Sequence, residues 1–323
     1  MAKELLRKLL YVAGMLLLIA LISFGAIHLA PNSFFASGDL NPNITPESIE
    51  QLKRVYGLDK PLWQQFFSWL FALVQLDFGI SFASGKAVKD EILSRLPITL
   101  IINVVSMVFV FIISLFLGIY AALHQNKFSD KLIAQGALVS YAMPSFYLAL
   151  LGILIFGVYW SVLPISGLHS AGIEAAGMEY WFDFAWHLIL PISVIVFAGF
   201  GSMSLYVRNL TLEILKSDYC FFAKARGIKG WRLLRYYVLP NLSPPIITML
   251  GLSLPGLIGG SVILESIFSI NGMGLLFYQS ALSRDYPVIM GILIIGALLT
   301  LLGNIIADMV LLRLNPHFKR AKS

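Results

Sequence analysis

The sequence predicts an all-α polytopic membrane protein: six transmembrane helices, with a helical loop on the outer side after the first. Two observations carry this expectation. Of the 323 residues, 58% are hydrophobic and only 12% charged, where a soluble domain carries about 25% charged residues. Several uncharged apolar runs reach about 20 residues, enough to cross a hydrocarbon core at about 1.5 Å per residue. A spanning segment must satisfy its own backbone hydrogen bonds, so these runs are helices. The alternating strands of a membrane barrel, each about ten residues long, are not seen.

The expected spans are 9–30, 98–123, 132–161, 186–207, 245–264 and 287–311. The first follows the basic lead MAKELLRK. Its apolar run exceeds the roughly 7–15 residues of a signal-peptide core, and no clear A-x-A site follows, so it is read as a retained helix. The loop 31–96 holds two helical patterns. In ITPESIEQLKRVYGLDKP, Thr45 suits a cap, Pro46 a first helical position and Gly57 a stop, with Ile49, Leu52 and Tyr56 at helical spacing. In PLWQQFFSWLFALVQLDFG, an aromatic face of Trp63, Phe66, Phe67, Trp69 and Leu70 either lies in the membrane interface or packs on the spans. The organisation is an N-terminal helix (1–30), a loop forming a small cap (31–96), a core of five spans (97–312) containing the connection 208–243, and a tail (313–323).

Charge sets the sides. With the N-terminus inside, sixteen Lys and Arg fall in inner segments and seven in outer ones. Six of those seven lie in the long 31–96 loop, which has little influence on orientation, whereas the short 162–185 loop has none. Both ends are therefore expected in the cytoplasm. The net charge of +6 restates this asymmetry and is no argument for nucleic-acid binding.

Residue chemistry excludes several classes. Cys220 is the lone cysteine, so neither an intrachain disulfide nor a multi-cysteine zinc site is available. SFASGKA, preceded by Gly79, approaches a phosphate-binding loop but fails: five residues separate Gly79 from Gly85 where four are needed, and Ala87 stands where Ser or Thr should hold magnesium. His28, His124, His169, His187 and His317 form no i, i+4 ligand pair. Acids within the spans are scarce, and Glu265 is read at the outer end of the fifth, so the deep carboxylates usual in a proton-driven carrier are missing. Span five places Gly256 and Gly260 in a G-x-x-x-G pattern beside Gly251 and Gly259, a stripe suited to helix packing, a subunit interface or a gate. Pro144, Pro191 and Pro255 are expected to interrupt spans three, four and five.

The connection DYCFFAKARGIKGWRLLRYYVLPN concentrates five cations: Lys224, Arg226, Lys229, Arg232 and Arg235. Ser217 or Asp218 suits a helix cap. Phe221, Phe222, Ala225 and Ile228 are expected on one face with Lys224 directed away. Gly227 and Gly230 break the run, and Trp231, Leu234 and Val238 mark a second short face that Pro240, Pro244 and Pro245 end. Two short amphipathic helices joined by a glycine bend can lie on anionic lipid, serve only as the positive-inside signal, or present an aromatic knob to a soluble partner.

This segment resembles the EAA loop of permease subunits from ABC importers, whose pattern is E-A-A, three residues, G, nine residues, I-x-L-P. Ala223, Gly227, Leu239 and Pro240 match at that spacing; Phe221, Phe222 and Tyr237 depart from it. AKARGIKG is similar to the variant loop of the peptide-importer branch. HLAPN, YGLDKPLWQQFFSWL, DFGISF, RLPITL, MPSFYLALLGILIF, LPISG, LILP, LESIFSINGMG, RDYPV and LNP resemble, in order, the B-type permease of oligopeptide, dipeptide and nickel importers. The resemblance implies the ABC type I importer permease fold in a bacterial inner membrane. It implies a second homologous permease subunit, two cytoplasmic ATP-binding subunits that hold ATP and magnesium, an extracytoplasmic solute-binding protein and contact with membrane lipid, with no cofactor in this chain. Phe221, Phe222, Ala223, Lys224, Ala225, Arg226, Gly227 and Ile228, with Leu239 and Pro240 beyond, then form the coupling segment, and Gly256, Gly259 and Gly260 the packing or gate stripe. Peptide is the implied solute; nickel, glutathione or haem are alternatives. An ion-coupled secondary carrier is the rival of another class, and a membrane scaffold a third.

Overall fold

The computed structural model describes residues 2–29, 60–172, 177–257 and 262–314. The expected helix at 45–57, Gly259, Gly260 and the tail beyond 314 lie outside them. Regular structure here is helical apart from one antiparallel bridge between Ile80 and Ala87. In chain order come α1 (Ala2–Leu29), α2 (Leu62–Val74), α3 (Val88–Leu123), α4 (Phe128–Ala142) and α5 (Ser145–Gly152), which continues through a π-helical stretch, Ile153–Tyr159. Then follow α6 (Met178–Lys216), α7 (Asp218–Ala225) and α8 (Gly230–Leu233), which runs through a π-helical stretch, Leu234–Val238, into α9 (Leu239–Ser253). The last are α10 (Val262–Ile267), α11 (Met273–Ser283) and α12 (Tyr286–Leu314).

Val88–Leu123, Met178–Lys216 and Tyr286–Ile305 are each long and apolar enough to cross a membrane. Phe128–Ala142 and Ser145–Tyr159 are so only as a pair, bent by 103°. The expected span 132–161 is therefore broken, and the cause is local. Pro144 has no N–H to give, and it holds Met143 in an extended conformation (φ −88°, ψ 129°). Pro191 corrects the expectation in the other direction, because α6 runs through it unbroken. Pro255 falls in a 3₁₀ turn, Leu254–Leu257, after α9. The expected spans 9–30 and 245–264 fall on α1 and on α9 plus that turn, as far as the described residues reach, but neither is among the helices long and apolar enough to cross a membrane; Tyr11–Gly25 of α1 is a shorter apolar stretch. α3 and α6 outrun their expected spans because their ends suit the helix dipole. Asp90 and Glu91 stand in the first turn of α3, and Glu179 and Lys216 in the first and last turns of α6.

The chain divides into two compact units, Met1–Ile98 with Asn271–Leu301, and Thr99–Ile270 with Leu302–Ser323. In the first, Ala20, Phe78, Val88, Ile92, Met273, Leu276, Val288 and Ile294 form a buried core. Phe66, Trp69, Leu70 and Leu73, spaced i, i+3, i+4, i+7, pack α2 against it. Trp63, Phe67 and Phe71 point outward, each about two-thirds exposed. The aromatic face thus divides: one stripe packs on the core and the other is left exposed. The turn 79–87 wraps the buried carboxylate of Asp285. Ser81 Oγ donates to Oδ2 (2.5 Å), Phe82 N to Oδ1 (3.1 Å) and Ala83 N to Oδ2 (3.2 Å). The loop that imitates a phosphate cradle does hold an anion, but the anion is the chain's own.

In the second unit α6 is the central element. Gly201 lets it approach α4 so closely that a Cβ there would collide with the Ala137 carbonyl oxygen, and a Cβ on Gly118 of α3 would lie only 2.7 Å from Ser204 O and Val207 of α6. Ser140 Oγ donates to Phe197 O across the α4–α6 contact. Gly136, one turn along α4, has open space around it. Gly201→Ala is therefore expected to cost about 1–3 kcal/mol through overpacking, read as a lower thermal-aggregation midpoint in detergent, whereas Gly136→Ala leaves that midpoint unchanged or higher. Asp130, buried at the start of α4, receives Arg208 Nε (2.5 Å) and Nη2 (2.7 Å) from α6, and the Asn126 amide (2.9 Å). Glu265, in the short helix α10, is buried and accepts from Thr99 Oγ1 at 3.0 Å.

Candidate functional site

The connection 208–243 is built on the end of α6. Ser217 leaves helical geometry (φ −68°, ψ 154°) and separates α6 from α7. It holds the cap position, but its hydroxyl donates back to Ile214 O (2.5 Å) and accepts no hydrogen bond from the amides of the new helix, which corrects the expected side-chain cap. Lys224 Nζ reaches Leu215 O (3.1 Å) and satisfies a carbonyl left over at the end of α6.

α7 ends by a Schellman motif. Ile228 N donates to Ala223 O (3.1 Å) and Gly227 N to Lys224 O (2.9 Å), with Gly227 at φ +79°. Ile228 and Ala223 meet in the same core, the apolar contact that accompanies this motif. The glycine that matches the family pattern is thus a helix stop whose left-handed backbone disfavours a side chain. Gly230, also left-handed (φ +57°), begins α8. Pro240, Pro244 and Pro245 do not end this second helix, because the helical run continues through them to Ser253.

Packing divides the expected face of α7: Phe221, Phe222 and Ala225 are exposed together, while Ile228 turns to the core. Cys220 and Ala223 face inward, fully buried with Leu233, Val238 and Leu242 against Ile119 of α3 and Met203, Val207 and Ile214 of α6. Ile228 and Leu239 flank the same core. Phe221 and Phe222 are 65% and 61% exposed, with their rings edge to face at 5.8 Å. Ala225, Arg226 and Pro240 are exposed too. Small residues seat the helix closely, and the large apolar ones are left outside. Exposure of two adjacent phenylalanines is informative, since apolar side chains of that size bury about 150–250 Å² when covered. Of the expected coupling residues, Ala223, Ile228 and Leu239 are brought together as the seat, Phe221 and Phe222 form the knob, and Gly227 ends the helix. Gly256 lies in the turn after α9, apart from this site in sequence. Asp130 with Arg208 was missed. Its signal was a lone acid among inner cations and a lone arginine at the end of span four.

Fold and site define a polytopic helical membrane protein with a short helix seated on its core and two exposed phenylalanines on that helix. The chain belongs to the family of binding-protein-dependent transport system inner membrane components, whose model matches residues 114–320, with the companion N-terminal model matching 1–103. It is 35% identical to the oligopeptide transport system permease protein AppB of Bacillus subtilis, over 99% of this chain and 100% of that one. It is 29% identical to the dipeptide transport system permease protein DppB of Escherichia coli K12, over the whole of both. It is also 34% identical to the metal-staphylopine import system permease protein CntB of Staphylococcus aureus, over 86% and 85%. A chain of the methionine ABC transporter MetNI in an inward-facing conformation shares the fold: TM-score 0.52 and 16% identity, covering 69% of this chain and 96% of that one.

Proposed function

We propose that this chain forms half of the translocation pathway of an ATP-driven importer for peptides, delivered by an extracytoplasmic binding protein. A second homologous permease completes the pathway in the bacterial inner membrane. Two ATP-binding subunits dock below, holding ATP and magnesium, and both termini of this chain face them in the cytoplasm. The single observation that carries this reading is the seated helix α7 with its exposed Phe221–Phe222 pair. A groove on an ATP-binding subunit covers the pair. Its motion passes through Cys220 and Ala223 to Val207 and Ile119, and so to the spanning helices α6 and α3. The oligopeptide and dipeptide relatives support peptide as the solute. The metal-staphylopine relative favours a small metal complex as the second reading.

Reconstitution in liposomes tests this. Uptake is expected only with the ATP-binding subunits and ATP present; uptake by this chain under an ion gradient alone would establish the rival secondary carrier. Gly227→Val is expected to reduce uptake at least tenfold without reducing the amount of inserted chain. The space around its Cβ is open, so the strain is in the backbone, about 1–2 kcal/mol, and displaces α7 rather than the core. Gly227→Asn, which tolerates the left-handed region, is expected to retain more activity. Equal uptake by the Val variant would remove the geometry of this turn from the coupling mechanism.

A further inference from the structure

We propose that the face formed by Trp231, Arg232, Arg235 and Tyr236 binds anionic phospholipid headgroups. These positions fall on one side of the helical run 230–238. Leu233 and Val238 are buried on the other, with Leu234 and Tyr237 packed beside them. Trp231 and Tyr236 are 66% and 65% exposed, and the Arg235 guanidinium lies 5.7 Å from the Tyr236 ring centroid. Lys229, just before the run, is exposed as well.

Three features select a membrane surface. First, the charge is uncompensated. No acidic residue occurs between Asp218 and Glu265, and among the described residues no carboxylate pairs with Lys229, Arg232 or Arg235, whereas Arg95 and Arg208 each have one. Second, the side chains suit headgroups: guanidinium takes phosphate bidentately, and Trp and Tyr favour the boundary between water and acyl chains. Third, the run leads without a break into α9, so this face stands where the chain passes into the fifth apolar stretch. The Phe221–Phe222 knob belongs to a different helix, beyond the Gly227 stop. The inference rests on the inward placement of this connection proposed above.

The test compares the wild-type complex, purified with its co-expressed ATP-binding subunits, with Arg232→Gln/Arg235→Gln. Each is titrated with phosphatidylglycerol or phosphatidylcholine and read by native mass spectrometry. Wild type is expected to retain phosphatidylglycerol in preference to phosphatidylcholine. The double variant is expected to bind phosphatidylglycerol about thirty-fold more weakly, with phosphatidylcholine binding and ATP-binding subunits unchanged; lysine at both positions restores most of the difference. Equal phosphatidylglycerol retention by wild type and variant, or no preference over phosphatidylcholine, overturns the proposal. Loss of ATP-binding subunits with unchanged lipid retention overturns it too and assigns the face to them. If no ATP-binding subunit accompanies the wild-type chain, the importer reading fails, and the lipid comparison still reads on the chain alone.

Discussion

Alanine at both Phe221 and Phe222 is expected to abolish ATP-driven uptake while the chain still inserts and folds. Neither ring belongs to a buried cluster, and both are more than three-fifths exposed, so their removal takes nothing from the seat of α7. On the function proposed above, their loss falls on the docked state. An aromatic anchor at the centre of an interface contributes about 2 kcal/mol or more, so the pair accounts for roughly a thousand-fold in affinity. Pull-down of ATP-binding subunits and ATP-dependent uptake should fall together, with the thermal midpoint unchanged. Ala223→Leu gives the complementary case. Ala223 is 2% exposed, and a larger side chain there lifts the seat while leaving the knob intact. Retention of full uptake by the double alanine variant would show that force reaches this chain elsewhere.

The second large effect is expected at Asp130. Its carboxylate is buried and takes two hydrogen bonds from Arg208 and one from the Asn126 amide. Asp130→Ala strands a guanidinium that is only about one-fifth exposed, and breaking one side of such a pair costs about 3–5 kcal/mol. It also frees the Asn126 amide at a left-handed turn (φ +65°). The variant should aggregate at a much lower temperature or fail to accumulate. The double change Asp130→Ala/Arg208→Ala should be less harmful than the sum of the two single changes, because no charge is then left alone. Additive losses would mean that the two side chains act separately.

Much of the fold was legible. Uncharged runs marked the spans, Pro144 marked the broken one, and Ala223, Gly227 and Pro240 at their spacing marked the connection. What could not be read is what depends on distant partners. Asp130 and Arg208 are 78 residues apart, and Ser81 and Asp285 are 204 apart; no local pattern announces either pair. The inward side of α7 is of the same kind, because packing decides which side of an eight-residue helix is covered. Phe221, Phe222 and Ala225 share an exposed side, as an aromatic knob requires, whereas Cys220 and Ala223 turn to Met203 and Val207 of α6, a contact that no local pattern gives. Pro191 misled because a proline is accommodated inside a long helix when neighbours hold the turn around it.

The wrapped carboxylate of Asp285 bears on the order of events at the ribosome. The amides of Phe82 and Ala83 are made early and their acceptor some two hundred residues later, so the 79–87 turn has no ligand until Asp285 has been made. Closure of this turn is thereby a late step, set by a single aspartate far along the polypeptide.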